Sequence, residues 1–76
     1  MSMRFTGTLK ALKSLLAGNG VYGSWEDEPN GVHMMRCPSG GIMHWSKTRG
    51  TLWCQGRNGP RLAKRIAVIL HAIDDG

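Results

Sequence analysis

His33 has the chemistry of a general base. A neutral imidazole can take a ribose 2′-hydroxyl proton near pH 7. It follows Gly31 and Val32 in a short apolar run. The sequence places no acid, Tyr or second His at a spacing that would complete such a reaction. A lone His in a strand is more often structural, so the chain reads as a binding protein before it reads as an enzyme. His33, His44 and His71, with Cys37 and Cys54, lack metal-ligand spacing, so neither a metal nor another cofactor is expected. The two cysteines form no disulfide framework or CxxC pair and read as small buried hydrophobes. Gly18 and Gly20 follow a helical pattern, not a strand, so they are no nucleotide fingerprint.

The charges carry more information. All five acids sit in two clusters, Glu26-Asp27-Glu28 and Asp74-Asp75. Between Pro29 and Ile73 there is no Asp or Glu, yet the stretch holds seven cations: Arg36, Lys47, Arg49, Arg57, Arg61, Lys64 and Arg65. Trp45 and Trp53 are interleaved with them. A one-sided positive field attracts polyanions and speeds their encounter. The alternative is a solvated basic face that serves solubility.

Seventy-six residues with ordinary apolar content predict one domain, 1–76, with a limited core. No apolar run approaches the ~20 residues of a membrane span. Met1-Ser2-Met3-Arg4-Phe5 lacks the apolar run of a signal peptide, so a cytoplasmic protein is expected.

These groups need elements to position them. Phe5, Leu9, Leu12, Leu15 and Leu16 recur near helical spacing, with Thr6 or Thr8 as cap and Gly18-Asn19-Gly20 as the stop. Four strands are predicted next: Val21 to Asp27, Val32 to Cys37, Gly41 to Ser46 and Thr51 to Gln55. Pro29-Asn30-Gly31, Pro38-Ser39-Gly40 and Lys47-Thr48-Arg49-Gly50 turn the chain between them. A second helix starts at Pro60, capped by Asn58 or Gly59, with Leu62, Ile66, Ile69, Leu70 and Ile73 as its apolar stripe. The expected fold is α+β: an α-β-β-β-β-α order with an antiparallel four-stranded sheet and both helices on one face.

Alternation puts Leu52 and Cys54 on the covered side of the fourth strand, and Thr51, Trp53 and Gln55 on the open side. In the third strand either Met43 and Trp45, or Ile42, His44 and Ser46, can face inward, because a one-residue shift exchanges them. The cations of the hairpin tip, of the Gln55-Gly56-Arg57-Asn58-Gly59 junction and of the second helix's start are expected to form a continuous edge beside Trp53. Free N–H groups and the helix dipole at that start can hold a phosphate.

The runs Val32-His33-Met34-Met35-Arg36-Cys37-Pro38, Gly41-Ile42-Met43-His44-Trp45 and Gly50-Thr51-Leu52-Trp53-Cys54-Gln55-Gly56, followed by the Leu62–Ile73 helix, resemble a half-repeat of the TATA-box-binding protein family. The N-terminal substrate-binding domain of class III ribonuclease H is similar and also ends its hairpin in Gln-Gly. The resemblance covers about 45 residues. It implies a curved sheet whose open face lies on a nucleic-acid groove or hybrid, with Thr51, Trp53 and Gln55 at or near the contact. A single half-repeat implies a homodimer if a full saddle is to form. The phenylalanine pairs that kink TATA-box DNA are absent. The element order also resembles double-stranded RNA-binding domains, with Gly59-Pro60-Arg61-Leu62-Ala63-Lys64 similar to the basic start of their second helix. HicA-type messenger-RNA-cleaving toxins share the layout, and Gly31-Val32-His33 is similar to their catalytic segment, with Val32 where they carry Ser or Thr.

The first expectation is thus a small basic nucleic-acid-binding module, for DNA or RNA, using Arg36, Lys47, Arg49, Trp53, Gln55, Arg57 and Arg61. The second is an accessory protein of the phage or mobile-element kind that meets an acidic or nucleic-acid-binding surface on a larger complex. The third is a ribonuclease using His33.

Overall fold

The computed structural model describes residues 3–74, so Asp75 of the second acidic cluster and Met1-Ser2 lie outside the described residues. The chain is α+β, with two helices and an antiparallel sheet of five strands. The strands are β1 (Met3–Arg4), β2 (Ser24–Glu28), β3 (Val32–Arg36), β4 (Gly41–Ser46) and β5 (Thr51–Gly56); the helices are α1 (Leu9–Gly18) and α2 (Gly59–Asp74). The order across the sheet is β1-β5-β4-β3-β2.

The four-strand expectation is therefore corrected to five. The extra strand, β1, is two residues long and pairs Met3 with Leu52 and Arg4 with Thr51. Nothing so short shows a period of two, and only the edge of β5 holds it extended. This also delays the first helix. Phe5 does not belong to it: its N–H donates to the Gly50 carbonyl at 2.8 Å, and its ring meets Trp45 edge-on. Thr8 caps α1, with its hydroxyl accepting from the Ala11 N–H at 3.0 Å. The helix closes where the Val21 N–H donates to the Leu16 carbonyl, so Val21 is a buried core residue rather than a strand start.

Two glycines let the backbone close up. A Cβ on Gly23 would strike the carbonyl of Arg36. Gly56 has φ +89, and a Cβ there would strike the Gly40 carbonyl, so the end of β5 can lie against the β3–β4 turn only as glycine. The Pro29-Asn30-Gly31 turn is a short 3₁₀ turn, and Asn30 takes the left-handed region with φ 69.

Register settles the ambiguity of β4. Met43 pairs with Met35 and Cys54, and Trp45 with His33 and Leu52. Met35, Met43, Trp45 and Leu52 are fully buried. They share one cluster with Leu12 and Leu16 of α1 and Leu62, Ile66, Ile69 and Leu70 of α2. Ile42, His44 and Ser46 alternate to the reverse face. At the centre of the core the Trp45 indole N–H donates to the Phe5 carbonyl at 3.0 Å, which ties β4 to the segment between β1 and α1. At the far edge Lys13 of α1 stands over the Trp25 ring, 5.3 Å from its centroid.

Candidate nucleic-acid interface

The two ends of the sheet differ in charge. One end holds the β4–β5 hairpin tip, where the Lys47 N–H donates to the Gly31 carbonyl and Thr48 lies beside Gly31. Lys47 and Arg49 are therefore neighbours of the turn that follows Asp27 and Glu28, and the predicted basic tip shares its end of the molecule with the acidic cluster. The other end holds the Pro38-Ser39-Gly40 turn, the β5–α2 junction and the loop after α1. There Asn58 donates from its side chain to the Ser39 carbonyl at 2.5 Å, Arg57 packs beside Gly40, and the Arg65 guanidinium donates to the Asn19 carbonyl at 3.3 Å.

The predicted cations thus do not form one continuous edge. β5 lies between the hairpin tip and the junction, and six extended residues at ~3.3 Å each separate them by about 20 Å. Of the predicted residues, Arg36, Gln55, Arg57 and Arg61 gather at the junction end. Arg36 and Gln55 share one row of the sheet with Ile42 and Ser24, and Arg57 and Arg61 follow directly in the chain. Arg65, one helical turn beyond Arg61, joins them. It lines a cavity of about 230 Å³ with Tyr22, Ser39 and Leu62. Tyr22 is 66% exposed, the aromatic side chain most open to solvent at that end. Sequence reasoning passed over Tyr22 because it fell in the strand expected from Val21 to Asp27, away from the run of cations; the structure starts β2 at Ser24 and leaves Tyr22 in the loop after α1.

Not all of these charges are free. Arg36 Nε lies 3.4 Å from Glu26 Oε1, both about half exposed, so that pair is locally near neutral. Arg57, Arg61 and Arg65 have no carboxylate within 4 Å among the described residues. Asn58, expected as a cap, spends its side chain on Ser39 and leaves its carbonyl to accept the first helical bond, from the Leu62 N–H.

Trp53 stands apart from the arginines. It occupies the reverse face with Thr51 and Gln55, as alternation predicts, and its indole stacks on His44. His44 in turn holds Glu28 of β2 through Nδ1 at 3.0 Å. Trp53 also lines a groove along the flank of α2, together with Lys64.

His33 lies on the core side of the sheet, stacked on Trp45 with centroids 5.8 Å apart. Its Nδ1 is 2.7 Å from Asp27 Oδ1. The acid that the sequence did not supply to His33 is thus its register partner across β2 and β3. The antiparallel turn at 28–32 sets 27 against 33, and that pairing is the signal that could have found it. The arrangement orients the imidazole and ties β2 to β3, while Trp45 closes one ring face. Burial pushes the Cys54 thiol up to about 11, with a smaller push from nearby Cys37, whose own thiol is also raised by burial. Both cysteines are free thiols. Among the described residues no group of three His, Cys, Asp or Glu is placed to hold a metal ion, and no helix is long and apolar enough to cross a membrane.

No protein family, characterised protein or solved structure matches this chain.

Proposed function

We propose that this protein is a small basic nucleic-acid-binding module whose contact surface is the junction end of the sheet. Arg57, Arg61 and Arg65 supply the phosphate contacts, as charge-assisted hydrogen bonds from guanidinium forks. The start of α2 adds backbone N–H groups and its dipole to the same surface. Tyr22 offers an exposed ring on which a base or sugar can lie. In this reading both helices cover the Trp45 face of the sheet, and Gln55 and Trp53 on the reverse face border the bound strand. Lys47 and Arg49, about 20 Å away along β5, reach a phosphate further along the bound strand.

The observation that carries the reading is the meeting of an exposed tyrosine with Arg57, Arg61 and Arg65, which have no carboxylate within 4 Å among the described residues, at the sheet end away from Asp27 and Glu28. The test is fluorescence anisotropy with labelled single- and double-stranded DNA and RNA, from low to moderate salt. Binding should weaken steeply with salt, with a log–log slope of about −0.9 for each phosphate neutralised on duplex DNA. A flat salt response, or no binding at micromolar protein, sinks the proposal.

A further inference from the structure

Three segments meet around the cavity at the junction end: the loop after α1, the β3–β4 turn and the first turns of α2. Its volume of about 230 Å³ lies below the roughly 300–1,000 Å³ of sites for drug-sized molecules, which suits one flat ring system rather than a chain segment. Its walls are of two kinds. Val21 and Leu62 are buried core residues and give it an apolar side. The exposed Tyr22 ring, Ser39 and the Arg65 guanidinium give it a polar one. Arg65 is held in place, since it lies beside Gly20 and donates to the Asn19 carbonyl at 3.3 Å. A guanidinium carries five N–H donors and no acceptor, so donors remain for a ligand edge that accepts.

We infer that this cavity receives one unpaired base of a single-stranded nucleic acid. The inference rests on the nucleic-acid contact proposed above and narrows its substrate to strands with unpaired bases. A base has the required form: two apolar faces, and an edge with the oxygen or nitrogen acceptors that arginine donors meet. Tyr22 supplies the ring on which an unstacked base lies. The cations stand where the flanking phosphates would be. Arg61 precedes Leu62, and Arg57 packs beside Gly40, the residue after Ser39. Neither has a carboxylate within 4 Å among the described residues. A duplex can offer its phosphates to the same arginines. Its bases are stacked and paired, however, so it leaves the cavity unfilled unless one is flipped out.

The test is fluorescence anisotropy on the intact protein at one fixed salt concentration. The tighter binder of a thymidine and a uridine 12-mer is compared with an abasic strand of equal charge and with a duplex of equal length. The base-bearing strand should bind at least about fivefold more tightly than the abasic one. Tyr22→Ala should remove that difference and leave duplex affinity unchanged, and the exposure of Tyr22 lets the variant fold, which circular dichroism checks. Tyr22→Phe keeps the ring and should stay within about twofold of the wild type. Cys37 also lines the cavity, so its alkylation by N-ethylmaleimide should slow when the strand is bound and not when the duplex is. Arg61→Ala should weaken strand, abasic strand and duplex alike, because it reads the phosphate contact alone. Abasic binding equal to that of the base-bearing strand overturns the inference, as does a Tyr22→Ala loss shared by the duplex or equal protection of Cys37 by both. A free mononucleotide that competes at the strand's own concentration also overturns it, by giving the cavity to a small ligand. In each of these cases binding that still falls with Arg61→Ala leaves the proposed function standing. Absence of binding to every probe refutes both.

Discussion

The imidazole of His44 lies against the indole of Trp53, with centroids 5.2 Å apart and planes within 7° of parallel. The two are register partners on β4 and β5. Glu28 reaches His44 Nδ1 from β2, so one line of contacts crosses most of the sheet's reverse face. An ionised carboxylate only accepts, so Nδ1 carries the hydrogen and donates it. His44 Nε2 is buried and has no hydrogen-bond partner among the described residues.

Glu28 should therefore matter more to stability than Asp27, although both pair with a histidine. Glu28→Ala leaves a largely buried imidazole with neither nitrogen paired, at a cost of about 1–3 kcal/mol. Glu28→Gln keeps an acceptor and should recover much of the loss. Asp27 is 81% exposed, so Asp27→Ala should cost less than about 1 kcal/mol. Urea unfolding of the three variants measures this, and equal losses for the two alanines would contradict the geometry.

Trp45 is fully buried and its N–H is committed to the Phe5 carbonyl. Trp45→Phe removes that donor and leaves a void, for a loss of about 2–4 kcal/mol. Because this bond anchors the segment that follows β1, amide exchange at Met3 to Phe5 should accelerate in the same variant. Exchange there that stays at the wild-type rate would separate β1 from the Trp45 contact.

The charge map makes a ranked prediction for nucleic-acid binding. Arg57→Ala, Arg61→Ala and Arg65→Ala should each lower the salt slope by close to one on duplex DNA. Lys47→Ala and Arg49→Ala should have smaller effects on affinity, because the acidic cluster at their end already repels phosphate. Removing Arg36 and Glu26 together should leave affinity within about twofold, since their pair is nearly neutral. Anisotropy titrations give the order directly.

Cys54 should alkylate slowly at neutral pH. Its thiol is shifted from the ordinary 9.0 up to about 11, so the reactive thiolate is scarce until the solution is strongly alkaline. The raised value also sets a sign for stability. Below about pH 9 the thiol is protonated in both states and contributes no pH dependence. Between about 9 and 11 the unfolded chain loses the proton first, so stability falls as pH rises. Iodoacetamide rates against pH, with mass-spectrometric assignment to Cys37 or Cys54, check the shift. A Cys54 rate that already levels off at pH 9 would rule out the burial.

Much of the fold was legible because its signals are local. The stripe of α2, the three turns and the alternation of Leu52 against Trp53 each lie within a few residues and obey fixed periods. The site was less legible. The acid-free stretch is real in the sequence, but one continuous edge is not its consequence, because β5 itself holds the hairpin tip and the junction apart. The Ala63, Ala67 and Val68 flank of α2 reads in sequence as the back of an amphipathic helix. It becomes a groove only because β5 brings Trp53 to its side.

By itself the sequence determined the α+β class, the two helices, the turns and the segregation of acids from cations, all of which follow from residue types and short-range spacing. The tertiary structure alone decided that Met43 and Trp45, not Ile42 and His44, enter the core. It also decided that a two-residue strand joins β5, that Asp27 reaches His33, and that Arg57, Arg61 and Arg65 stand with no carboxylate within 4 Å among the described residues. Those outcomes depend on register between strands. A shift of one residue would turn each side chain to the other face, and register is set by the packing of the whole core.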